Sequence, residues 1–381
     1  MRLLARATGV AGLIFAAVWT LWIGYADYVF RRDTLASVQR AAEIRSGEAE
    51  YHARLADLDP ANAIAHLRRT VALNPGLSKS WIALGLRLEL QGNTEEAERC
   101  YLRAAQWDRQ FLPAWTLANF YARRQDAARF WPWARHAALM SYEDIRPLLR
   151  IAFTLTSDPN VVLEKMIVSR PKVEREFLYY VMAERLDCPA IADRILGRAG
   201  EEDLPPLLMW VDRLNELRRF SEARILWNSL SDKKLIAYPH LALLANADFA
   251  HDPVQAGFDW RITVPPGVNY QRTDGGLRIE FSGKQPETFD LAAQCLDVSR
   301  GTYVLSFEYR TTGIDKTTNL RWKIGELSSE PLPAAENWTR WSRTFAADAG
   351  NKLTLLEQRD LGTVRPEGVV YLRGLHLAQS N

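Results

Sequence analysis

A repeat with a period of 34 residues constrains the fold of this 381-residue chain more than any other sequence feature. Trp81 recurs as Trp115, and Pro75 in the loop before the first tryptophan corresponds to Arg109 before the second. Within one unit, small residues fall where two antiparallel helices would approach, and large apolar residues fill the space between them. The small residues are Gly85, Ala97 and Ala104, and the large ones are Trp81, Leu84, Leu88 and Tyr101. The pattern predicts that each unit is a helical hairpin.

This spacing resembles the tetratricopeptide repeat family, with Trp81-x2-Leu84-Gly85-x2-Leu88 followed by Ala97-x3-Tyr101. The flanking units keep part of the pattern, since the helix before lacks the Trp and the Gly, and Trp131-Pro132 stands where a plain repeat carries alanine. After residue 141 the register fades, but apolar residues at three and four spacing predict six more helices, with Pro or Gly between most of them. Their ranges are 144–155, 160–168, 172–186, 190–198, 204–217 and 221–230. An α-solenoid of tetratricopeptide-type hairpins over residues 33–250 is therefore expected.

The resemblance implies a concave groove that binds a protein partner. In the two clear repeats, the groove-facing positions are Lys79, Ile82, Leu86 and Glu89, and then Pro113, Thr116, Phe120 and Arg123. We take Lys79, Glu89, Phe120 and Arg123 as candidate contact residues. They do not reproduce the Lys and Asn clamp that some family members use for a peptide carboxylate, so such a ligand is disfavoured.

Residues 7–26 carry no charge and are long enough, at 1.5 Å per residue, to span a bilayer core of about 30 Å. Aromatic residues that favour the membrane interface gather near the carboxyl end of this run: Trp19, Trp22, Tyr25 and Tyr28. Residues 1–32 are therefore expected to be a retained transmembrane signal anchor. A cleaved signal peptide is the alternative, but the run ends in Ile23-Gly24-Tyr25 rather than in an A-x-A-like site.

The orientation of the anchor is balanced between two arguments. The segment after the apolar run has more arginines than the segment before it, with Arg31, Arg32, Arg40 and Arg45 against Arg2 and Arg6. This difference favours retention of the bulk of the chain in the cytoplasm. Long domains are exported with little regard to such differences, and a short basic tail before an apolar run begins an exported signal anchor. The expectation is a single-pass protein of the bacterial inner membrane with its bulk in the periplasm. A cytosol-facing adaptor is the alternative.

From Gly257 onwards the apolar period changes to two, which is typical of strands. Residues 268–272 and 277–281 flank a Gly-rich turn and predict a hairpin. Farther along, Tyr303, Leu305, Phe307 and Tyr309 alternate with Val304, Ser306, Glu308 and Arg310. Roughly eight short strands without an intervening helix predict an all-β sandwich of jelly-roll type over residues 257–381.

Two segments of this region, residues 301–310 and 368–377, resemble strands of carbohydrate-binding modules and galactose-binding-like domains. The resemblance implies glycan as a candidate ligand. Sugar recognition uses flat aromatic faces and convergent polar groups. Trp338, in a turn-like stretch after Pro331-Leu332-Pro333, is the lead candidate, with Tyr270 and Trp341 behind it. Trp322 shares parity with apolar neighbours and is expected in the core.

Composition and motifs exclude several function classes. The chain has 48 Lys and Arg residues against 46 Asp and Glu residues, a net charge of +2. It therefore has no large overall positive potential that would attract nucleic acid. Three scattered cysteines and six scattered histidines predict neither a disulfide framework nor a metal site. The motifs G-x-S-x-G, H-E-x-x-H, GxxxxGK(S/T) and GxGxxG do not occur, and the S-x-x-K match at Ser231 lacks its companion motifs. We therefore expect no catalytic residues and no cofactor.

With its anchor, tetratricopeptide repeats and sandwich module, the chain resembles proteins of the bacterial exopolysaccharide and O-antigen machinery. The resemblance implies a non-catalytic scaffold or adaptor that binds protein partners and glycan during envelope polysaccharide assembly or export. An accessory or cryptic glycoside hydrolase is the alternative, and a convergent carboxylate pair roughly 5 to 9.5 Å apart would favour it.

Overall fold

The computed structural model describes residues 2–142, 144–348 and 350–380. The chain divides into two compact units, Met1–Phe177 and Leu178–Asn381. A helical region, with fourteen α-helices among the described residues, is followed by a two-sheet antiparallel β domain. In chain order the helices are α1 (Arg2–Phe30), α2 (Leu35–Ile44), α3 (Ala49–Leu58), α4 (Ala63–Leu73), α5 (Ser78–Leu90), α6 (Thr94–Trp107), α7 (Phe111–Arg123), α8 (Ala127–Met140), α9 (Arg146–Ala152), α10 (Pro159–Lys165), α11 (Pro171–Ala183), α12 (Pro189–Gly197), α13 (Leu204–Glu216) and α14 (Phe220–Asp232).

In the first unit, successive helices pack as pairs, α3 with α4, α5 with α6, and α7 with α8. The α5–α6 pair depends on Gly85, because a Cβ atom there would lie 2.5 Å from Cε1 of Tyr101 on α6. Asn93 caps α6 by accepting a hydrogen bond from the backbone N–H of Glu96. The helical hairpin predicted for the repeat unit that contains Trp81 and Tyr101 is therefore confirmed, as α5 and α6.

Helix α1 has two different parts. Residues such as Leu13, Phe15 and Leu21 leave about 70% of their surface exposed, whereas Ala26 and Val29 are buried. Ala26 belongs to a core cluster with residues of α2 and α3, and Phe30 packs against it. Among the described residues, one helical stretch, Gly12–Phe30, is long and apolar enough to cross a membrane.

The β domain has ten strands among the described residues, whereas the sequence predicts roughly eight. Two of the ten are only two residues long, which is too short to show an alternating pattern. The first sheet has the order β1-β4-β9-β6-β7 and the second sheet the order β2-β3-β10-β5-β8, and the paired strands are antiparallel. The strands are β1 (Arg261–Ile262), β2 (Val268–Thr273), β3 (Gly276–Ser282), β4 (Thr288–Cys295), β5 (Gly301–Thr312), β6 (Leu320–Ile324), β7 (Leu327–Ser328), β8 (Thr339–Ala347), β9 (Lys352–Gln358) and β10 (Glu367–Gln379).

The β-domain core is built from alternate residues of its strands. β5 buries the four side chains predicted from the alternation, Tyr303, Leu305, Phe307 and Tyr309, and also Thr311. Trp322 on β6 is 1% exposed and meets Phe307 edge to face, with ring centroids 5.7 Å apart. The prediction that Trp322 is a core residue is therefore confirmed.

The last helices and the β domain share the second unit. Asp212 on α13 accepts a hydrogen bond from the backbone N–H of Gly257 at 2.7 Å and forms an ion pair with Arg261. Gly257 has φ of +61°, and a Cβ atom there would lie 2.4 Å from the Trp227 ring of α14. The domain limits at residues 32, 250 and 257 stay predictions.

Candidate functional site

The outward face of the second sheet brings together arginine and aromatic side chains. Register places Arg278 of β3 opposite Tyr371 of β10, and Tyr371 opposite Arg310 of β5. Trp338 comes directly before β8, the edge strand that pairs with β5. We call this surface the outer face and define it by Arg278, Glu280, Glu308, Arg310, Trp338, Arg340, Tyr371 and Arg373.

Trp338 is the most exposed ring of the outer face, with 38% of its surface accessible. The guanidinium carbon of Arg373 lies 3.9 Å from its ring centroid, and that of Arg310 lies 5.4 Å away. A guanidinium this close to an indole face is attracted by the ring quadrupole. The arginines therefore fix the position of Trp338 on the sheet, and its role in binding stays a prediction.

Tyr371 is the second ring of the outer face. The Arg310 guanidinium carbon lies 4.4 Å from its centroid, so Arg310 contacts both rings. Arg278 donates a hydrogen bond to Glu280 at 2.8 Å. That bond, together with one to Tyr371, raises the pKa of Arg278 above its ordinary value, which keeps its positive charge fixed on the face.

The charges of the outer face do not cancel. Arg373 donates from Nε and Nη2 to one oxygen of Glu308, at 2.9 and 2.8 Å. Arg340 lies opposite Glu308 in the β5–β8 register, but that carboxylate already binds Arg373. Four guanidinium groups therefore share two carboxylates, which makes the surface positive.

Tyr270 and Trp341 point the other way, and this corrects their choice as exposed binding residues. Tyr270 lies opposite Ile279 and Trp341 lies opposite Phe307, both of which are buried. Both candidates are partly buried and pack against the core, Trp341 with its centroid 5.0 Å from that of Phe307. Strand parity therefore places them on the inner side of the sheet.

The candidate contact residues on the helices differ in their surroundings: one is exposed, two form an ion pair with each other, and one is buried. Lys79 is exposed on α5. Glu89 is bound by neighbouring residues, since it forms an ion pair with Arg123 at 2.9 Å and accepts a hydrogen bond from the Tyr101 hydroxyl at 2.8 Å. Burial, and then that hydrogen bond, raises the pKa of Tyr101.

Phe120 was wrongly assigned to the groove. Its side chain is fully buried, and its ring packs edge to face with those of Tyr101 and Tyr121, each with centroids 5.3 Å away. An aromatic ring in such a cluster gains more from packing than from solvent exposure. Phe120 is therefore a core residue of the α5–α7 region.

Titratable groups with raised pKa values lie inside the β domain, away from the outer face. Burial raises the pKa of Glu357 on β9 to about 7, and burial also raises that of Asp259. Both residues are 0% exposed. In the described part of the chain, no group of three or more His, Cys, Asp or Glu side chains is arranged to hold a metal ion.

Sequence reasoning missed most of the outer face. Arg310, Tyr371 and Arg373 lie within the two segments that resemble carbohydrate-binding modules, and alternation along β5 placed Glu308 and Arg310 outward. The missing information was the register between β5 and β10, which are far apart in the sequence. Alternation identifies a face, but register identifies which residues share it.

Comparison with known proteins gives structural similarities of low identity. No family model matches the sequence, and no curated protein matches it. Among solved structures, one described as "CBM4 structure and function" is 15% identical, with 35% of this chain and 98% of that chain covered and a TM-score of 0.29.

Two further solved structures match at similar levels. The CBM22-1 xylan-binding domain from Paenibacillus barcinonensis Xyn10C is 11% identical, with 35% of this chain and 91% of that chain covered and a TM-score of 0.25. The crystal structure of MamA is 18% identical, with 28% and 66% covered and a TM-score of 0.26. Similarities at this level identify no ligand for this chain.

Proposed function

We propose that this chain is a non-catalytic, membrane-anchored scaffold whose β domain binds glycan through the outer face. The observation that carries the proposal is the exposed Trp338 ring held beside Tyr371 and the arginines of the same face. Sugars present C–H faces that pack on aromatic rings and hydroxyls that accept hydrogen bonds from guanidinium groups. The outer face offers both kinds of contact on a rigid sheet.

The carboxylates support a binding role rather than hydrolysis. A glycosidase needs a protonated carboxyl as general acid beside a second carboxylate. On the outer face, Glu280 is paired with Arg278 and Glu308 with Arg373, each at 2.8 Å, so both carboxylates of this face are engaged in ion pairs. Glu357 and Asp259 have raised pKa values, but both are fully buried, where a polysaccharide has no access.

The packing of α1 supports retention of the anchor. Cleavage near the end of the apolar run would remove Ala26, which belongs to the core formed with α2 and α3. Asp27 forms an ion pair with Arg45 at 3.2 Å and accepts a hydrogen bond from the Tyr51 hydroxyl. We assign the anchor to the bacterial inner membrane, with the bulk of the chain in the periplasm, and the role to envelope polysaccharide assembly or export.

The helical region is proposed to be a solenoid of tetratricopeptide-type hairpins that binds a protein partner. The close approach of Gly85 to Tyr101 supports this, since it occurs where the repeat pattern requires a small residue. Glu89 and Arg123, which are 34 residues apart, join α5 to α7. Beside them, Leu86 and Leu90 are 45% and 83% exposed and are available for contact.

The test is affinity electrophoresis of the full chain in a detergent without a sugar headgroup, through gels that contain neutral or acidic polysaccharides. Trp338→Ala should weaken retention by at least about fivefold, as for a central aromatic contact, with thermal unfolding unchanged. Trp107→Ala is the matched control, because Trp107 is an exposed tryptophan on α6. Absence of retention by every polysaccharide, or equal retention of both variants, would contradict the proposal.

A further inference from the structure

We infer that the glycan bound by the outer face is an acidic one, and that a sugar carboxylate binds Arg310. The inference rests on the proposed glycan-binding function and specifies its ligand class. It starts from the pairing of the arginines in the β domain.

Most arginines of this domain already have a carboxylate partner. Eight of the eleven arginines in residues 258–380 form ion pairs in the structure: Arg261, Arg272, Arg278, Arg300, Arg321, Arg359, Arg365 and Arg373. Among the described residues, the remaining three, Arg310, Arg340 and Arg343, have no carboxylate within 4.0 Å. All three lie on the adjacent strands β5 and β8. The arginines of the domain that have no carboxylate partner are thus concentrated on two adjacent strands of the second sheet.

Arg310 is the best placed of the three to bind a ligand. Its guanidinium lies beside the rings of Tyr371 and Trp338, with its carbon 4.4 and 5.4 Å from their centroids. Its Nε is buried and has no hydrogen-bond partner, so the terminal Nη groups are the donors left for a ligand. A guanidinium held by aromatic contacts loses little further entropy when it binds a planar carboxylate through two parallel hydrogen bonds.

The neighbours of Arg310 extend the site along the sheet. Arg340, which is exposed, lies opposite Glu308 in the strand register. Glu308 forms its ion pair with Arg373, and no carboxylate of the described residues lies within 4.0 Å of the Arg340 guanidinium. A polysaccharide that passes over Trp338 would therefore meet a second unpaired cation close to the first. Repeated acidic sugars match this arrangement by charge, whereas a neutral glycan would leave both guanidiniums uncompensated.

The shared chemistry of the ligand is an anionic sugar, and uronic acid and sulfated sugars are its two sources. The planar donor set of Arg310 favours the uronate carboxylate. The probes are polygalacturonate, alginate and hyaluronan, each compared with its own carboxyl-reduced, neutral form, and dextran sulfate. Binding is measured by affinity electrophoresis of the full chain in the same detergent.

We expect at least one uronate polymer to bind, and carboxyl reduction to weaken that binding about tenfold or more, the usual effect of losing a charged hydrogen-bond pair. Arg310→Gln should cause a similar loss, and Arg310→Lys should not restore binding, because lysine keeps the charge but lacks the planar donor pair. Arg300→Gln is the charge-matched control, because Arg300 is exposed and its substitution removes the same single positive charge from the domain.

Each other outcome has a separate meaning. Equal binding of acidic and reduced polymers, lost in Trp338→Ala, would overturn the inference and leave the proposed glycan-binding function standing. Absence of binding to acidic and neutral polymers alike would overturn both. Strong binding of dextran sulfate alone, or equal losses in the Arg310 and Arg300 variants, would indicate attraction by net charge and would overturn the role of Arg310.

Discussion

Glu357 gives a stability prediction whose size follows from its position between the sheets. It shares strand parity with the core residues Leu353 and Leu355 and is 0% exposed. Burial raises its pKa to about 7 from the ordinary 4.5, although the Asn319 side chain and nearby arginine charges act in the opposite direction. The β domain therefore carries a carboxyl group whose ionisation opposes folding.

The sign of the pH effect follows from proton binding in the two states. Below pH 4.5 the group is protonated in both the folded and the unfolded chain. As the pH rises from 4.5 to 7, the unfolded chain loses this proton first, so the free energy of unfolding falls by about 3 kcal/mol. Glu357→Gln removes the ionisation. The variant should thus be about 3 kcal/mol more stable than the parent at pH 8 and equally stable at pH 4.

Hydrogen exchange measured by mass spectrometry on the full chain reads the stability of the β domain through amides of β4, β6 and β9. The control is Glu326→Gln, because Glu326 is an exposed carboxylate paired with Lys323 at 3.8 Å and does not contribute to the pKa of Glu357. That change should alter stability by less than about 1 kcal/mol. A Glu357→Gln variant that is less stable than the parent at pH 8, or whose advantage is the same at both pH values, would refute the reasoning.

Further predictions concern packing and topology. Gly85→Leu should lower the stability of the helical region by at least about 1 to 3 kcal/mol, because the new side chain overlaps the facing tyrosine ring. Lys79→Ala, an exposed change, should alter it by about 0.5 kcal/mol or less; thermal unfolding that ranks the two the other way contradicts this packing. Trp341→Ala should destabilise the β domain more than Trp338→Ala, as judged by hydrogen exchange in β5, because only Trp341 packs on the core. A periplasm-dependent reporter fused after Asn381 should be active, whereas activity of a cytoplasm-dependent reporter alone would reverse the orientation.

Helix positions were predictable where local signals are strong. The six patterns after residue 141 correspond to α9–α14, because Pro or Gly at most of the junctions ends one helix and starts the next. The strand alternation at residues 303–309 likewise predicted which side of β5 is buried. In both regions the local pattern and the tertiary packing favour the same structure.

The errors in the candidate site came from information that local patterns do not contain. The position of Phe120 in the repeat predicts that it faces the groove, but its ring packs against those of Tyr101 and Tyr121. Burial of an aromatic ring in such a cluster is more favourable than its exposure to water. Tyr270 and Trp341 are aromatic residues near predicted loops, which favours a role in binding. In the sheet they lie opposite the buried residues Ile279 and Phe307, and their side chains therefore face the core. Strand register, which depends on long-range pairing, determines which residues share the outer face.

Hydroxyl-radical footprinting of the full chain, with and without the acidic polysaccharide that binds best, tests most directly whether glycan binds on the outer face. Oxidation of Trp338 and Tyr371 should fall when the polysaccharide is present. Trp107 on α6, which is 58% exposed, provides the internal reference for radical scavenging and should be unchanged relative to other exposed residues of the helices. Unchanged oxidation of Trp338 and Tyr371 alongside protection of the first sheet or of the helices would contradict the account.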